Sequence, residues 1–159
     1  MNEPSSLLRV ERCTVADLEA HPNFHNLIGE YADECATEGL PRPHGKLDLY
    51  KTIEAAGFAQ AVKATYDGEM IGFAVVISTV NPHHGVLLSV TETLFISMAH
   101  RKRGAGLRLI GECRRIARDK GAPKLLLTAH EGSYLLGLLS IMKSCTPISR
   151  AFAMEVGDE

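Results

Sequence analysis

The segment Arg101-Lys102-Arg103-Gly104-Ala105-Gly106 carries more chemistry in its residue types and spacing than any other part of this sequence. Two glycines one residue apart, opening an apolar-periodic stretch, make a turn where several backbone N–H groups point at one place. The dipole of a following helix adds partial positive charge there, and the missing Cβ atoms let a phosphate approach. A tight turn with solvated basic side chains is the other use of such residues. No Gly-x-x-x-x-Gly-Lys-Ser/Thr string occurs, so a P-loop is excluded. A dinucleotide fingerprint fails as well, because Leu109 stands where the third glycine belongs and no acid ends a strand about 20 residues on. Glu92 is the single acid in the otherwise apolar and β-branched run 86–97. Period-two alternation expects it on one face with Leu94 and Ile96; a solvated edge glutamate is the plain alternative.

These residues need elements to hold them. Residues 7–12 read as a first strand, and Thr14 with Asp17 three residues later reads as a helix N-cap with an acidic first turn. Phe24, Leu27, Ile28, Tyr31 and Cys35 recur at helical spacing, with Glu30, Asp33, Glu34 and Glu38 expected on the solvent face. The loop 39–45 and a short helix ending near Gly57 complete a mainly helical first third. Residues 58–66, the Asp67-Gly68 turn and 70–80 then form a hairpin, and 86–97 follows as a third antiparallel strand. A helix over 106–120, with Leu107, Ile110, Cys113 and Ala117 sharing a face, leads to a strand at 124–129, parallel to 86–97. A helix at about 133–143 and a last strand at 149–156 end the chain.

A chain of 159 residues, 45% hydrophobic and 23% charged, suits one soluble domain over residues 1–159. Apolar runs fall far short of the roughly 20 residues of a membrane span, and Met1-Asn2-Glu3-Pro4 does not read as a signal peptide, so no membrane partner and a cytoplasmic location are expected. The four cysteines are widely spaced and suit reduced thiols. His21 and His25 are four apart, but Pro22 between them and the lack of a third ligand argue against a metal. Net charge is −2, yet residues 101–120 carry +6 and residues 1–60 carry −5. A local basic segment in an acidic protein suits one anionic ligand better than nucleic acid.

Arg101-x-x-Gly104-x-Gly106, preceded by Leu94-Phe95-Ile96 and set between a strand and a helix, resembles the Gln/Arg-x-x-Gly-x-Gly/Ala signature of the GCN5-related N-acetyltransferase (GNAT) superfamily. Met98 departs from it, standing where many members have proline. The resemblance implies an α/β (α+β) fold: a mixed, mostly antiparallel sheet of about six to seven strands flanked by helices, with a splayed parallel strand pair that binds acetyl-CoA. It implies pyrophosphate contacts from Arg101, Lys102, Arg103, Gly104, Ala105, Gly106 and Leu107, and pantetheine contacts from the backbone of Phe95, Ile96 and Ser97. It makes Glu92 the general base, with His83 and His84 as alternatives, and Tyr134 the general acid, with Ser133, Cys145 or water in reserve. The implied reaction is direct acetyl transfer to a primary amine of a small molecule or protein. A cationic acceptor suits the acidic helices, and a homodimer is left open. An acyl-CoA-binding protein without turnover is the competing reading.

Overall fold

The structure, a computed structural model, describes residues 7–44 and 46–157. Leu8–Cys13 is β1, and the chain leaves it through Thr14, whose side chain caps α1 (Val15–Ala20) in a reciprocal capping box with Asp17. α2 (Phe24–Cys35) and α3 (Leu47–Ala55) follow. The hairpin of β2 (Ala59–Tyr66) and β3 (Glu69–Asn81) turns at Asp67 and Gly68, whose φ angles of 50° and 81° are what a two-residue primed turn demands. β4 (Val86–Ile96) pairs antiparallel with β3, and a 3-10 turn over Met98–Arg103 leads into α4 (Ala105–Asp119). β5 (Leu125–Leu127) lies parallel to β4, and α5 (Tyr134–Ile141) is the last helix.

The sheet runs β1-β2-β3-β4-β5. β3 carries an apolar run rather than an alternation because it is buried on both faces: Ile71, Ala74 and Val76 pack toward α4, while Met70, Phe73 and Val75 pack toward α1 and α2. A Cβ on Gly72 would stand 2.5 Å from the carbonyl oxygen of Phe95, so only glycine lets β3 approach β4 there. Full burial of Leu109 and Ile116 on α4 stabilises the sheet-helix contact by about 1.5–3 kcal/mol each.

Three expectations are corrected. The sheet has five strands among the described residues rather than six or seven, because the alternating segment at 149–156 forms no strand. Strand pairing needs a neighbour, and period-two patterning alone supplies none. Leu107 is 51% exposed instead of sharing the inward face; that face is Leu109, Ile110, Cys113, Ile116 and Ala117, at helical spacing, from which Leu107 is rotated away. The acids of α2 are not all solvated, as the site shows.

Candidate active site

β4 and β5 pair only through Ser89 to Thr91 on β4, so beyond that point the two parallel strands part and a cleft opens. Tyr31 and Glu34 of α2, Glu92, Thr93 and Leu94 of β4, and the segment 128–130 after β5 line it. Glu92 owes its place to a bulge. Val75 pairs with Thr93 and Val76 with Thr91, which leaves Glu92 as the extra residue without a partner on β3. The bulge also resets the alternation. Leu94 and Ile96 enter the core against α4, whereas Glu92 turns toward α2 and α3, where its carboxylate accepts the Tyr50 hydroxyl at 3.5 Å. The expected common face of Glu92, Leu94 and Ile96 is therefore corrected. Burial first, then nearby Glu92, pushes the Tyr50 phenol above its ordinary range, so it stays a proton donor. Burial, with Cys35 and Glu92 adding, pushes Tyr31 up to about 12. Thr93 Oγ1 lies buried in the same wall with no hydrogen-bond partner among the described residues, a polar atom that a bound group can satisfy.

The turn at the other end of the cleft is held from several sides. Gly104 sits at φ 74°, a left-handed conformation that favours glycine, and caps α4 without a side chain. The N–H groups of Ala105, Gly106 and Leu107 are the first of α4 and have no acceptor in the helix itself. A Cβ on Gly106 would come within 3.3 Å of Leu138, so this glycine also lets α5 pack close. The side chains at the turn are engaged elsewhere. Arg101 donates from Nε to the Ile96 carbonyl at 3.0 Å, pairs with Glu34, and lies 4.7 Å from the Tyr134 ring centre and 5.4 Å from that of Phe95. Tyr134 donates its hydroxyl to the Arg101 carbonyl at 3.0 Å, and its N–H goes to Glu34 at 3.2 Å. Arg103 stacks over Tyr66 at 4.2 Å, and Lys102 is exposed.

Glu30 and Glu34 were expected among solvated acids and are corrected here. Glu30 accepts the Ser97 hydroxyl at 3.0 and 3.1 Å and the Met98 N–H at 3.2 Å, and Glu34 ties Arg101 to the start of α5. One turn apart on α2, they fasten that helix to the turn before α4 and to the start of α5. Among Phe95, Ile96 and Ser97, backbone orientation differs. Ser97 N–H donates to the Ile71 carbonyl at 2.7 Å, so by alternation Phe95 and Ser97 turn their polar groups to β3, and Leu94 and Ile96 turn theirs to the cleft. His83 and His84 meet edge to face, ring centres 4.7 Å apart, in the exposed β3-β4 loop, outside the residues that line the cleft. Ser133 lines the cleft, whereas Cys145 does not. Tyr31, Tyr50, Glu34 and Thr93 escape a reading of the sequence, because nothing in their spacing relates them to Glu92; the acid itself was the signal, and its neighbours come from other elements.

A glycine turn that opens a helix at one end of a parting parallel pair, with a carboxylate on a bulge at the other, frames the cleft. The chain belongs to the acetyltransferase (GNAT) family, whose family model matches residues 20–134. Acetyl-CoA is the family's co-substrate. No curated protein matches the chain in sequence. Its fold is similar to that of an aminoglycoside N-acetyltransferase, AAC(6')-Iy, solved in complex with CoA (TM-score 0.73, 18% identity, 98% of each chain covered). It is also similar to an aminoglycoside acetyltransferase from an uncultured soil metagenomic sample (TM-score 0.71, 16% identity, 98% of this chain and 100% of that one). A ribosomal-protein-alanine N-acetyltransferase from Brucella melitensis biovar Abortus 2308 shares the fold at TM-score 0.68 and 18% identity, over 94% and 99% of the two chains. No helix among the described residues is long and apolar enough to cross a membrane.

Proposed function

We propose that this protein transfers an acetyl group from acetyl-CoA directly to a primary amine, with Glu92 as general base. The observation that carries the reading is the bulge that takes Glu92 out of the sheet and turns its carboxylate into the cleft beside Tyr50. Acetyl-CoA supplies an activated thioester carbonyl. The backbone N–H groups at 105–107 and the start of α4 suit its pyrophosphate, and the cleft-facing backbone of Leu94 and Ile96 suits its pantetheine arm. An amine attacks only as the free base, so Glu92 takes its proton, directly or through a water. Tyr50, donating to the same carboxylate, fixes its orientation. A cleft-facing N–H of β4 near Ile96 is the donor for the charge that develops on the carbonyl oxygen.

Tyr134 is the candidate for returning a proton to the leaving thiolate, and its hydroxyl stands at the phosphate end of the cleft on the Arg101 carbonyl. Tyr134→Phe separates the two roles open to it: a proton donor lowers kcat, whereas a strut of the turn raises KM for acetyl-CoA. The acceptor is a cation. With Glu30 and Glu34 engaged, Glu92 and the Tyr31 ring are the groups that draw an ammonium into the cleft. Similar folds in acetyltransferases named for aminoglycosides and for a ribosomal protein's alanine support both a small-molecule and a protein amine. The deciding experiment offers a panel of both, with acetyl-CoA, and follows free thiol. Amine-dependent release that Glu92→Gln removes establishes the reaction. Cofactor binding without release from any amine would leave a binding protein.

A further inference from the structure

β5 ends three residues after it begins, although its own sequence does nothing to end it. The chain runs on as Leu125-Leu126-Leu127-Thr128-Ala129 with no proline, glycine or charge to stop a strand, and β4 opposite continues to Ile96. The bulge at Glu92 does not account for the stop, since Thr91, the last residue of β4 to pair with β5, lies before it. The cause is a side chain. Ser89 N–H donates to the Lys124 carbonyl at 3.4 Å, and the register of Ser89 with Leu125 and Thr91 with Leu127 makes Thr128 N–H to the Thr91 carbonyl the next rung of the parallel ladder. Thr128 N–H donates instead to Thr91 Oγ1 at 3.3 Å. A side-chain oxygen stands off the plane of the sheet, so an amide that follows it leaves the ladder, and residues 128–130 line the cleft rather than extend β5.

Burial makes a threonine costly at this place. Thr91 is 1% exposed and stands opposite Val76, on the face of the sheet that α4 covers with apolar side chains. A valine fills the same space with no hydroxyl to satisfy. Ser78 and Ser89, buried on the same two strands, satisfy each other at 2.7 Å, whereas the Thr91 oxygen is spent on a backbone amide of the neighbouring strand.

We propose that Thr91 is a positioning residue for acetyl-CoA: its hydroxyl diverts the Thr128 amide from the Thr91 carbonyl, ends the β4-β5 ladder one rung early and so holds open the throat between the two strands. The inference rests on the reading that the pantetheine arm lies in this cleft. Without the diversion an amide and a carbonyl face each other across two parallel strands, and the pair zips by one more rung into the space the arm needs. The hydroxyl thus gives up a little sheet for an opening.

Calorimetric titration of the full chain with acetyl-CoA tests this without any acceptor. Thr91→Val keeps the shape of the side chain and removes its acceptor oxygen, so the Thr128 amide falls onto the Thr91 carbonyl. Kd for acetyl-CoA rises roughly 10-fold, the upper end of what one net hydrogen bond is worth, while the melting temperature of the free protein does not fall. Damage to the core lowers stability and affinity together; here they part. Thr91→Ser keeps the hydroxyl and binds as the parent does. Thr128→Pro has no amide to give to either oxygen, so in that background Thr91→Val changes Kd by less than about 2-fold. An unchanged Kd in Thr91→Val overturns the proposal. So does a loss of affinity that comes with a lower melting temperature, that Thr91→Ser shares, or that persists in full beside Thr128→Pro. Gly104→Val separates this inference from the reading beneath it: affinity lost there but kept in Thr91→Val strikes Thr91 alone, and affinity kept in both puts the arm elsewhere. If Thr128→Pro does not fold, Thr91→Ser and the opposed course of stability and affinity in Thr91→Val decide.

Discussion

The two ends of the cleft are built in opposite ways. At the glycine-turn end, among the described residues, each formal charge but that of Lys102 is already occupied: Arg101 by Glu34 and the Ile96 carbonyl, Arg103 by Tyr66, Glu30 by Ser97 and Met98. In the proposed function, anion binding there falls to backbone N–H groups that the helix start cannot satisfy, while the side chains hold the turn in shape. At the Glu92 end the polar groups are under-used. Among the described residues, Glu92 has one long hydrogen bond and Thr93 Oγ1 has none. In the proposed function, ligand recognition at the first end is a property of main chain and glycine, while at the second it depends on side chains that a substrate completes.

Substitutions separate the ends, and the largest effect belongs to Glu92. Glu92→Gln should lower kcat by on the order of 100-fold with acetyl-CoA affinity nearly unchanged. The defect should shrink at high pH, where the amine is already neutral; a rate profile against pH measures it, and wild-type activity at pH 7 would remove the base assignment. Gly104→Val acts at the other end. A β-branched residue in the left-handed region costs about 1–2 kcal/mol in stability, and its side chain crowds the turn. The rise in melting temperature given by acetyl-CoA should disappear in a protein that still folds. Retained affinity in calorimetry would show that the pyrophosphate lies elsewhere.

Tyr50→Phe sharpens the comparison by removing the one donor that orients Glu92. A net hydrogen bond of about 0.5–1.5 kcal/mol predicts a loss of roughly 2- to 10-fold in kcat/KM, with KM for acetyl-CoA unaffected. The smallest effect lies outside the cleft, in the ion pairs of Glu112 with Arg12 and Arg115, both at 2.6–2.7 Å. Burial raises the Glu112 carboxyl, but hydrogen bonds from Arg12 and Arg115 outweigh it and hold it below the usual carboxylate range. A lowered folded-state value adds stability above the unfolded pKa and loses it as pH falls. Glu112→Gln should therefore cost up to about 1 kcal/mol near neutrality, and the gap in melting temperature should close as pH drops below about 4.

Much of this was legible in local residues. The Thr14-Asp17 capping box, the Asp67-Gly68 hairpin and the Gly104 helix start each depend on a few neighbours in sequence, so pattern and structure agree. The face of α4 was displaced at Leu107, because periodicity gives the stripe but packing against the sheet chooses which flank lies innermost. The cleft was legible only as an acid and a turn.

By itself the sequence determined the order of elements as far as α5, the parallel pair around α4, the glycine turn at the start of that helix and the presence of one carboxylate on the strand before it, since each is encoded by turn chemistry, period and charge over short spans. Only the tertiary structure decided which way that carboxylate faces, because a one-residue bulge opposite Val75 and Val76 reverses the side chains on either side of it. It alone decided that Glu30 and Glu34 serve the turn rather than solvent, and that residues 149–156 stay out of their own sheet. Those outcomes depend on which distant backbone edge or charged group lies within reach, and a strand, unlike a helix, cannot satisfy its hydrogen bonds from its own residues.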